Sequence, residues 1–394
     1  MLKAADAFAA AGHDVRVVST THVDWAMGTD RDARRTRTWP WTAIDYSAAT
    51  GGWLRVRTGV RQRGAMQAVS CLGAAAAPYA IAVRAFSRVH DELVRAAVSE
   101  PTDFFYGGTT GALAATAAAA REAGVPFGVD FEDFHRGERE GADGAVMNAI
   151  AARIESDVVA DAACVTAAGS AIADEYGQAC GVRPLPINNT FPLPTQAPEF
   201  AASGDSLSLY WFSQTIGGSR GLEEVVRAIG LSGVPATLVL RGRPAAGFED
   251  AMTALGAEVA PRLELRFAPP SAPDTMIDCC RGFDVGLAVE QPVVRNRELC
   301  LSNKVFTYML GGLAVVLTDT PGQRPVARDL AEHALVYEAG HPEQLAEGLQ
   351  RWHRNRTSLL AARRAAWAAA CARWHWDHPS ERPSLVSAIE HGAQ

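Results

Sequence analysis

The chain alternates between short runs of consecutive apolar, often β-branched residues and longer stretches in which apolar positions recur every three to four residues. These are the periods of strands buried in a sheet and of helices packed on it. Leu2 to Ala11 carries the helical period, Gly12-His13 ends it, and Val15 to Ser19 predicts a strand. An α/β unit ordinarily opens on a strand, so the helix-first order implies either that the first strand of this domain is missing or that its sheet begins at the second strand. Helical spacing runs through Ala65–Val98, "DFFYGG" predicts a strand and turn, Ala112–Ala123 is a helix stopped by Gly124, and "VPFGVDF" is the next strand. Gly144–Asp161 and Ser170–Gln178 predict helices, and Ala163–Ala167 and Leu185–Ile187 predict strands. Strands and helices joined by short Gly-rich links make right-handed parallel units.

The segment "NNTFPLPTQAPEFAASGD" is proline-rich and has neither period, which predicts a linker. A second alternating series follows. Its predicted strands are Leu207–Phe212, Ala236–Arg241, Leu263–Phe267, Phe283–Val289, Ala314–Thr318 and Ala334–Tyr337; its helices are Leu222–Ile229, Asp274–Cys280, Lys304–Leu310 and Pro342–Trp352. A long helix from about Thr357 and a last one near Pro383–His391 close the chain. The expected organisation is a Rossmann-like domain over residues 1–190, a linker over 191–204, a second Rossmann-like domain over 205–370 and a helical segment over 371–394. The fold class is α/β, two doubly wound sheets with a ligand cleft between them and a C-terminal helix packing back.

Composition narrows the function. Hydrophobic residues make up 48% and charged residues 21% of the 394, ordinary values for a folded chain. The formal charge of −7 predicts no nucleic-acid partner. Seven cysteines without CxxC spacing, and no leader upstream of the first helix, predict a cytoplasmic protein without disulfides or a zinc cluster. The longest apolar stretch, Ala68–Val83, is broken by Ser70, Gly73 and Pro78 and is too short to span a bilayer. Residues 31–63 are the exception in charge: eight arginines against Asp32 and Asp45, with Trp39, Trp41 and Trp53 interleaved. They make either a solvated loop region or a docking surface for an anionic acceptor or the inner face of a membrane.

Two-domain dehydrogenases, export-dependent binding proteins and two-Rossmann glycosyltransferases share this layout. G-x-G-x-x-G after a strand is absent, which argues against a dehydrogenase, and no export signal is seen. Two segments carry chemistry. In "SLYWFSQTIGGSRGLEEVVRAI" a strand runs through Gly217, Gly218 and Arg220 into a helix start, an anion site of backbone N–H groups and a guanidinium. In "FDVGLAVEQPVVRNRELCLSNKVFTYMLGG" a buried strand empties into a polar loop with Glu290, Asn296, Arg297 and Glu298. Ser302 then caps a helix opened by Asn303 and Lys304, and a cation set against the positive dipole end predicts a phosphate that offsets both. Upstream, "DFEDFH" places Asp130, Glu132, Asp133 and His135 at a strand exit, with Asp130 and Glu132 expected on one face, as candidate catalytic groups for an acceptor hydroxyl. Asp30-Arg31-Asp32 follows no buried strand and predicts a solvated turn.

"SNKVFTYMLGGLAVVLTDTPGQ" and "TIGGSRGLEEVVRA", with "GVPFGVDFEDFH" and "PINNTFPL", resemble the retaining GT-B glycosyltransferases of family 4 (glycosyl transferases group 1). The resemblance implies sugar transfer from a nucleotide-diphosphate donor to a glycan, lipid-linked or small-molecule acceptor. It implies that Gly217, Gly218, Arg220, Glu290, Asn296, Arg297, Ser302, Asn303, Lys304 and Thr307 line the donor site. Arg220 and Lys304 would neutralise the leaving diphosphate, so that no metal and no cofactor beyond the nucleotide sugar is needed. The chain departs from the family pattern in its two glutamates eight apart, whose positions here hold Leu299 and Thr307; Glu290 or Glu298 stands as the substitute. That departure leaves as alternatives a catalytically degenerate homologue and a sugar-nucleotide epimerase on the same fold.

Overall fold

The computed structural model describes residues 1–24, 27–200 and 204–394. The chain divides into two units, Met1–Ile187 with Pro379–Gln394, and Asn188–His378. The first unit runs α1 (Leu2–Ala10), β1 (Val17–Thr21), α2 (Met27–Arg35), β2 (Trp41–Asp45), α3 (Gly52–Leu72), α4 (Tyr79–Phe86), α5 (His90–Ala97), β3 (Phe105–Gly108), α6 (Thr110–Ala123), β4 (Phe127–Phe131), α7 (Gly141–Asp161), β5 (Cys164–Ala167), α8 (Ser170–Cys180) and β6 (Leu185–Pro186). The second runs β7 (Leu207–Ile216), α9 (Leu222–Ser232), β8 (Ala236–Pro244), α10 (Phe248–Val259), β9 (Leu263–Ala268), β10 (Val285–Ala288), α11 (Arg295–Leu299), α12 (Asn303–Leu310), β11 (Ala314–Thr318), α13 (Arg324–Leu330), β12 (Leu335–Tyr337), α14 (Pro342–Arg354) and α15 (Arg356–Ala372). The last helix, α16 (Arg382–Gly392), returns to the first unit.

All strand pairs are parallel. In the first unit they form two ladders, β1-β2 and β3-β4-β5-β6. The second unit has one six-stranded sheet in the order β9-β8-β7-β10-β11-β12. Successive strands leave β7 in one direction and, from β10 onward, in the other. The carboxyl ends of β7 and β10 therefore flank the topological switch point, where an open α/β sheet leaves a crevice.

The continuous apolar runs of β10 and β11 are buried at every residue because both faces of this sheet are covered. One core packs Leu209, Trp211 and Leu287 with α9 and α14; another packs Tyr210, Val315 and Leu317 with α12 and α15. Edge strand β9 instead alternates, with Glu264 and Arg266 exposed between half-buried Leu263, Leu265 and Phe267. At the amino end of the sheet, buried Arg363 of α15 donates to the Gly312 carbonyl and lies 3.6 Å from buried Asp284.

Several expectations are corrected. Residues 31–63 are not a loop region: they fold as the end of α2, β2 and most of α3, with Trp39 buried and Trp53 exposed. Asp30-Arg31-Asp32 falls within α2 rather than in a turn. The Asp274–Cys280 helix is two 3-10 turns. Helices α10 and α13 were not anticipated. Within the proline-rich segment, Pro198 and Phe200 pack at Gly312, and the Arg363 guanidinium lies over Phe200. Residues 201–203 lie outside the described residues.

Tyr308 of α12 lies on β10 because position 286 has no side chain: a Cβ at Gly286 would stand 2.2 Å from Tyr308 Cγ. Gly286→Ala is expected to cost about 1–3 kcal/mol through overpacking, read as a lower urea midpoint at unchanged slope. A variant as stable as wild type contradicts this packing.

Candidate functional site

The polar groups at the switch point of the second unit centre on one carboxylate. Glu290 follows β10 and is 9% exposed, and Lys304, 7% exposed, opens α12. Their charged atoms are 2.5 Å apart. Lys304 Nζ also donates to Ser302 Oγ at 3.2 Å and lies 5.7 Å from the Trp211 ring centre. Ser302 caps α12, accepting from the Lys304 N–H. Arg297 of α11 reaches within 3.6 Å of the second Glu290 oxygen and donates to the Ser219 carbonyl at 3.4 Å. Arg220 adds a fourth charge; burial lowers its pKa, with repulsion from Arg297 acting alike and Glu290 opposing. Burial works against ionising Glu290, but Lys304, Arg297 and Arg220 outweigh it and hold its pKa below the usual carboxylate range.

Three cations thus surround one anion; with Glu224 of the first turn of α9 included the formal charge is +1, still positive beside a helix start that favours anions. The loop before α9 is held in an unusual backbone. Ser219 has φ +59° and Gly221 φ +74°. A Cβ at Gly221 would meet the Val289 carbonyl oxygen at 2.5 Å, so glycine there lets the loop approach the segment that carries Glu290. Gly217 and Gly218 show no such crowding. Glu224, in the first turn of α9, accepts from Gln291 Nε2 and Tyr337 Oη, each at 2.9 Å, and from the Gly340 N–H. It ties α9 to the loops after β10 and β12.

The structure brings Arg220, Glu290, Arg297, Ser302 and Lys304 together. Asn303 opens α12, and Asn296 is buried within α11. Thr307 is not among these groups: it is fully buried and donates to the Asn303 carbonyl within α12. Glu298 pairs with Arg295 at 2.5 Å, which leaves Glu290 as the carboxylate of the cluster. Glu224, Trp211 and Gly221 were missed by sequence reasoning. A carboxylate one turn into a helix that follows a glycine loop is the signal that could have found Glu224.

In the first unit, Asp130 is the penultimate residue of β4 and accepts from Thr166 Oγ1 at 2.6 Å. Tyr106 Oη lies 2.6 Å from the same Thr166 hydroxyl and donates to it. Desolvation, reinforced by Glu132, pushes the Asp130 carboxyl up to about 6 against the Thr166 hydrogen bond. Glu132 lies beyond the strand end, 3.3 Å from the Met1 amine. Desolvation pushes nearby Lys3 down to about 8, with Glu381 and Glu132 opposing. His135 turns away from this pair. It is buried, its Nδ1 is 2.9 Å from Thr110 Oγ1 and 3.5 Å from Glu138, and its Nε2 has no partner. Burial lowers its pKa, but Glu138, Glu155 and Asp133 raise it further. The Asp133 carbonyl accepts from Tyr176 Oη, which also donates to Glu155.

Two consequences are measurable. Glu290→Gln leaves its cations unpaired and is expected to cost about 3–5 kcal/mol, with part of the loss restored by added pyrophosphate; indifference to pyrophosphate counts against an anion site. The folded chain also holds a proton on Asp130 that the unfolded chain has released above the ordinary carboxyl value of 3.8. Its contribution to stability is therefore present below that value and lost as pH rises to about 6. Thermal unfolding between these limits should show Asp130→Asn gaining on wild type as pH rises; a constant difference contradicts the raised pKa.

Neither a protein-family model nor a curated protein sequence matches the chain. Its fold does match solved structures. Anabaena HepE in complex with UDP and glucose superposes with a TM-score of 0.63 at 15% identity, over 95% of this chain and 98% of HepE. A glycosyltransferase from Rickettsia africae superposes at 0.59 and 9% identity, over 96% and 99%. Staphylococcus aureus TarM, in complex with fondaparinux, alpha-GlcNAc-glycerol and UDP, superposes at 0.60 and 10% identity over 77% of this chain, which spans 58% of TarM. With its parallel-sheet units and this likeness over nearly its whole length, the chain has the GT-B fold of glycosyltransferases.

Proposed function

We propose that the chain transfers a sugar from a nucleoside-diphosphate donor, held by the second unit, to a hydroxyl of a glycan, lipid-linked or small-molecule acceptor. The observation that carries this reading is the cluster of Arg220, Arg297 and Lys304 around Glu290. Its excess positive charge sits at the sheet's switch point, at the starts of α9 and α12, where a diphosphate gains from both helix dipoles and charged donors. Negative charge grows on the leaving diphosphate as the sugar–phosphate bond breaks, and fixed cations lower that barrier without reorganising. The UDP in the HepE and TarM complexes supports a nucleotide ligand. With cations of the chain in this role, transfer is expected to persist in chelator.

Asp130 is the group proposed to meet the acceptor hydroxyl. Its pKa of about 6 lets it accept a proton near neutral pH, and the Tyr106–Thr166 relay fixes the orientation of its carboxylate. A second reading, a homologue that binds a nucleotide sugar without transferring it, draws on Thr307, an inward-facing hydroxyl where the resembling family carries a carboxylate. Donor hydrolysis by the purified chain separates the two.

The test is thermal unfolding against a panel of nucleoside diphosphates and their sugars. A ligand at 100 times its Kd adds about 2.7 kcal/mol. One nucleotide should raise the midpoint by a few degrees in wild type and not in Arg220→Ala, whose transfer rate should fall about a hundredfold or more. An undiminished shift and rate in Arg220→Ala would overturn the site.

A further inference from the structure

Helix α3 presents to solvent the side chains that a surface helix usually buries. Its inner face holds Thr58, Gly59, Ala65 and Val69. Its outer face carries Trp53, Val56 and Val60, which are 75%, 53% and 60% exposed. At spacings of three and four residues these three share one stripe about 10 Å long. Arg57, one turn beyond Trp53, and Arg63, one turn beyond Val60, flank it and are both exposed.

Beside Arg57 the helix borders a cavity of about 480 Å³ shared with α4 and α5. Arg57, Arg61, Arg84 and Arg95 line it together with Asp91 and Glu92. Glu92 is 2.8 Å from Arg57, 3.0 Å from Arg95 and in contact with Arg61; Asp91 is 3.0 Å from Arg61 and 3.1 Å from Arg84. Four guanidiniums face two carboxylates, and Arg61 Nε is buried without a partner. The cavity keeps a formal charge of +2 and donor capacity that its carboxylates do not use. The whole chain is acidic, so this positive excess is local.

We propose that α3 docks the protein on a bilayer containing anionic phospholipid. Trp53, Val56 and Val60 enter the interfacial layer, where an aromatic and aliphatic face gains burial that water denies it. Arg57 and Arg63 meet headgroups on either side, and one headgroup phosphate enters the arginine-lined cavity, where guanidiniums bind it as charged donors. The flanking arginines select a negative surface over a neutral one. A neutral protein partner would satisfy the stripe but not the arginines. No helix among the described residues is long and apolar enough to cross a membrane, so the attachment is peripheral. The proposal does not depend on sugar transfer.

Co-sedimentation of the full chain with vesicles tests it, using phosphatidylcholine alone and phosphatidylcholine with one-third phosphatidylglycerol. Binding to the anionic vesicles only is expected, weakening strongly as salt rises from about 0.05 to about 0.5 M. Arg63→Ala should weaken partition about fivefold, and Trp53→Ser with Val60→Ser at least as much; these exposed sites leave the fold intact, checked by an unchanged unfolding midpoint. Arg57→Gln should weaken binding to phosphatidylglycerol more than Arg63→Ala does, because Arg57 also lines the cavity. Equal binding to both vesicle types, no binding to either, or variants that bind like wild type overturn the proposal. So does a concentration-dependent dimer that Trp53→Ser abolishes, which assigns the stripe to a second copy. Loss of vesicle binding in millimolar inorganic phosphate at constant ionic strength overturns it as well, assigning the cavity to a free anion.

Discussion

A buried carboxylate among three cations is the constraint on which the second unit's polar site depends. Glu290 alone in that setting would have to shed its charge, and Lys304 alone would face both desolvation and the positive end of α12. Paired at 2.5 Å they are tolerated, and Arg297 and Arg220 then bring the site past neutrality. Breaking such a pair costs more than forming it yields, so its presence speaks for a use beyond stability. Excess positive charge at a sheet's switch point is that use.

The scaffold follows from the same requirement. Parallel order places the ends of β7 and β10 side by side, and the positive φ of Gly221 lets the loop before α9 lie against the Val289 carbonyl. Glu224 then links that helix to the loops after β10 and β12 through three hydrogen bonds. At the opposite end of the strands Arg363, Asp284 and the Gly312 carbonyl hold α15 against the sheet. One end of the sheet is closed by internal pairing, and the other keeps unspent charge.

Most of this architecture was legible in the chain because fully buried parallel strands leave unbroken apolar runs, as "AVVLT" does at β11. The helix opened by Ser302, Asn303 and Lys304 was legible from its cap and dipole chemistry. Helix α10 was not read, although Phe248, Met252, Leu255 and Val259 carry helical spacing; its acidic, Gly-led start reads as a turn after β8. Residues 31–63 misled because arginine density suggests solvent. In the fold, Arg57 and Arg61 fold back onto Glu92, and Trp39 donates to Asp6. Thr307 drew attention as a replaced carboxylate, yet burial and a back-bond to Asn303 take it out of the site. In "DFEDFH" the spacing of acids was visible, but not that His135 would be drawn into a network with Thr110 and Glu138. Long-range partners decide these cases, and no local period encodes them.

The most direct measurement of the central claim is an electron-density map of the full chain with a nucleoside diphosphate bound. The account predicts the diphosphate within hydrogen-bond distance of the Arg220 guanidinium and the Lys304 ammonium, against the amide groups that open α9. A diphosphate bound elsewhere, with Lys304 engaged only by Glu290 and Ser302, would contradict it.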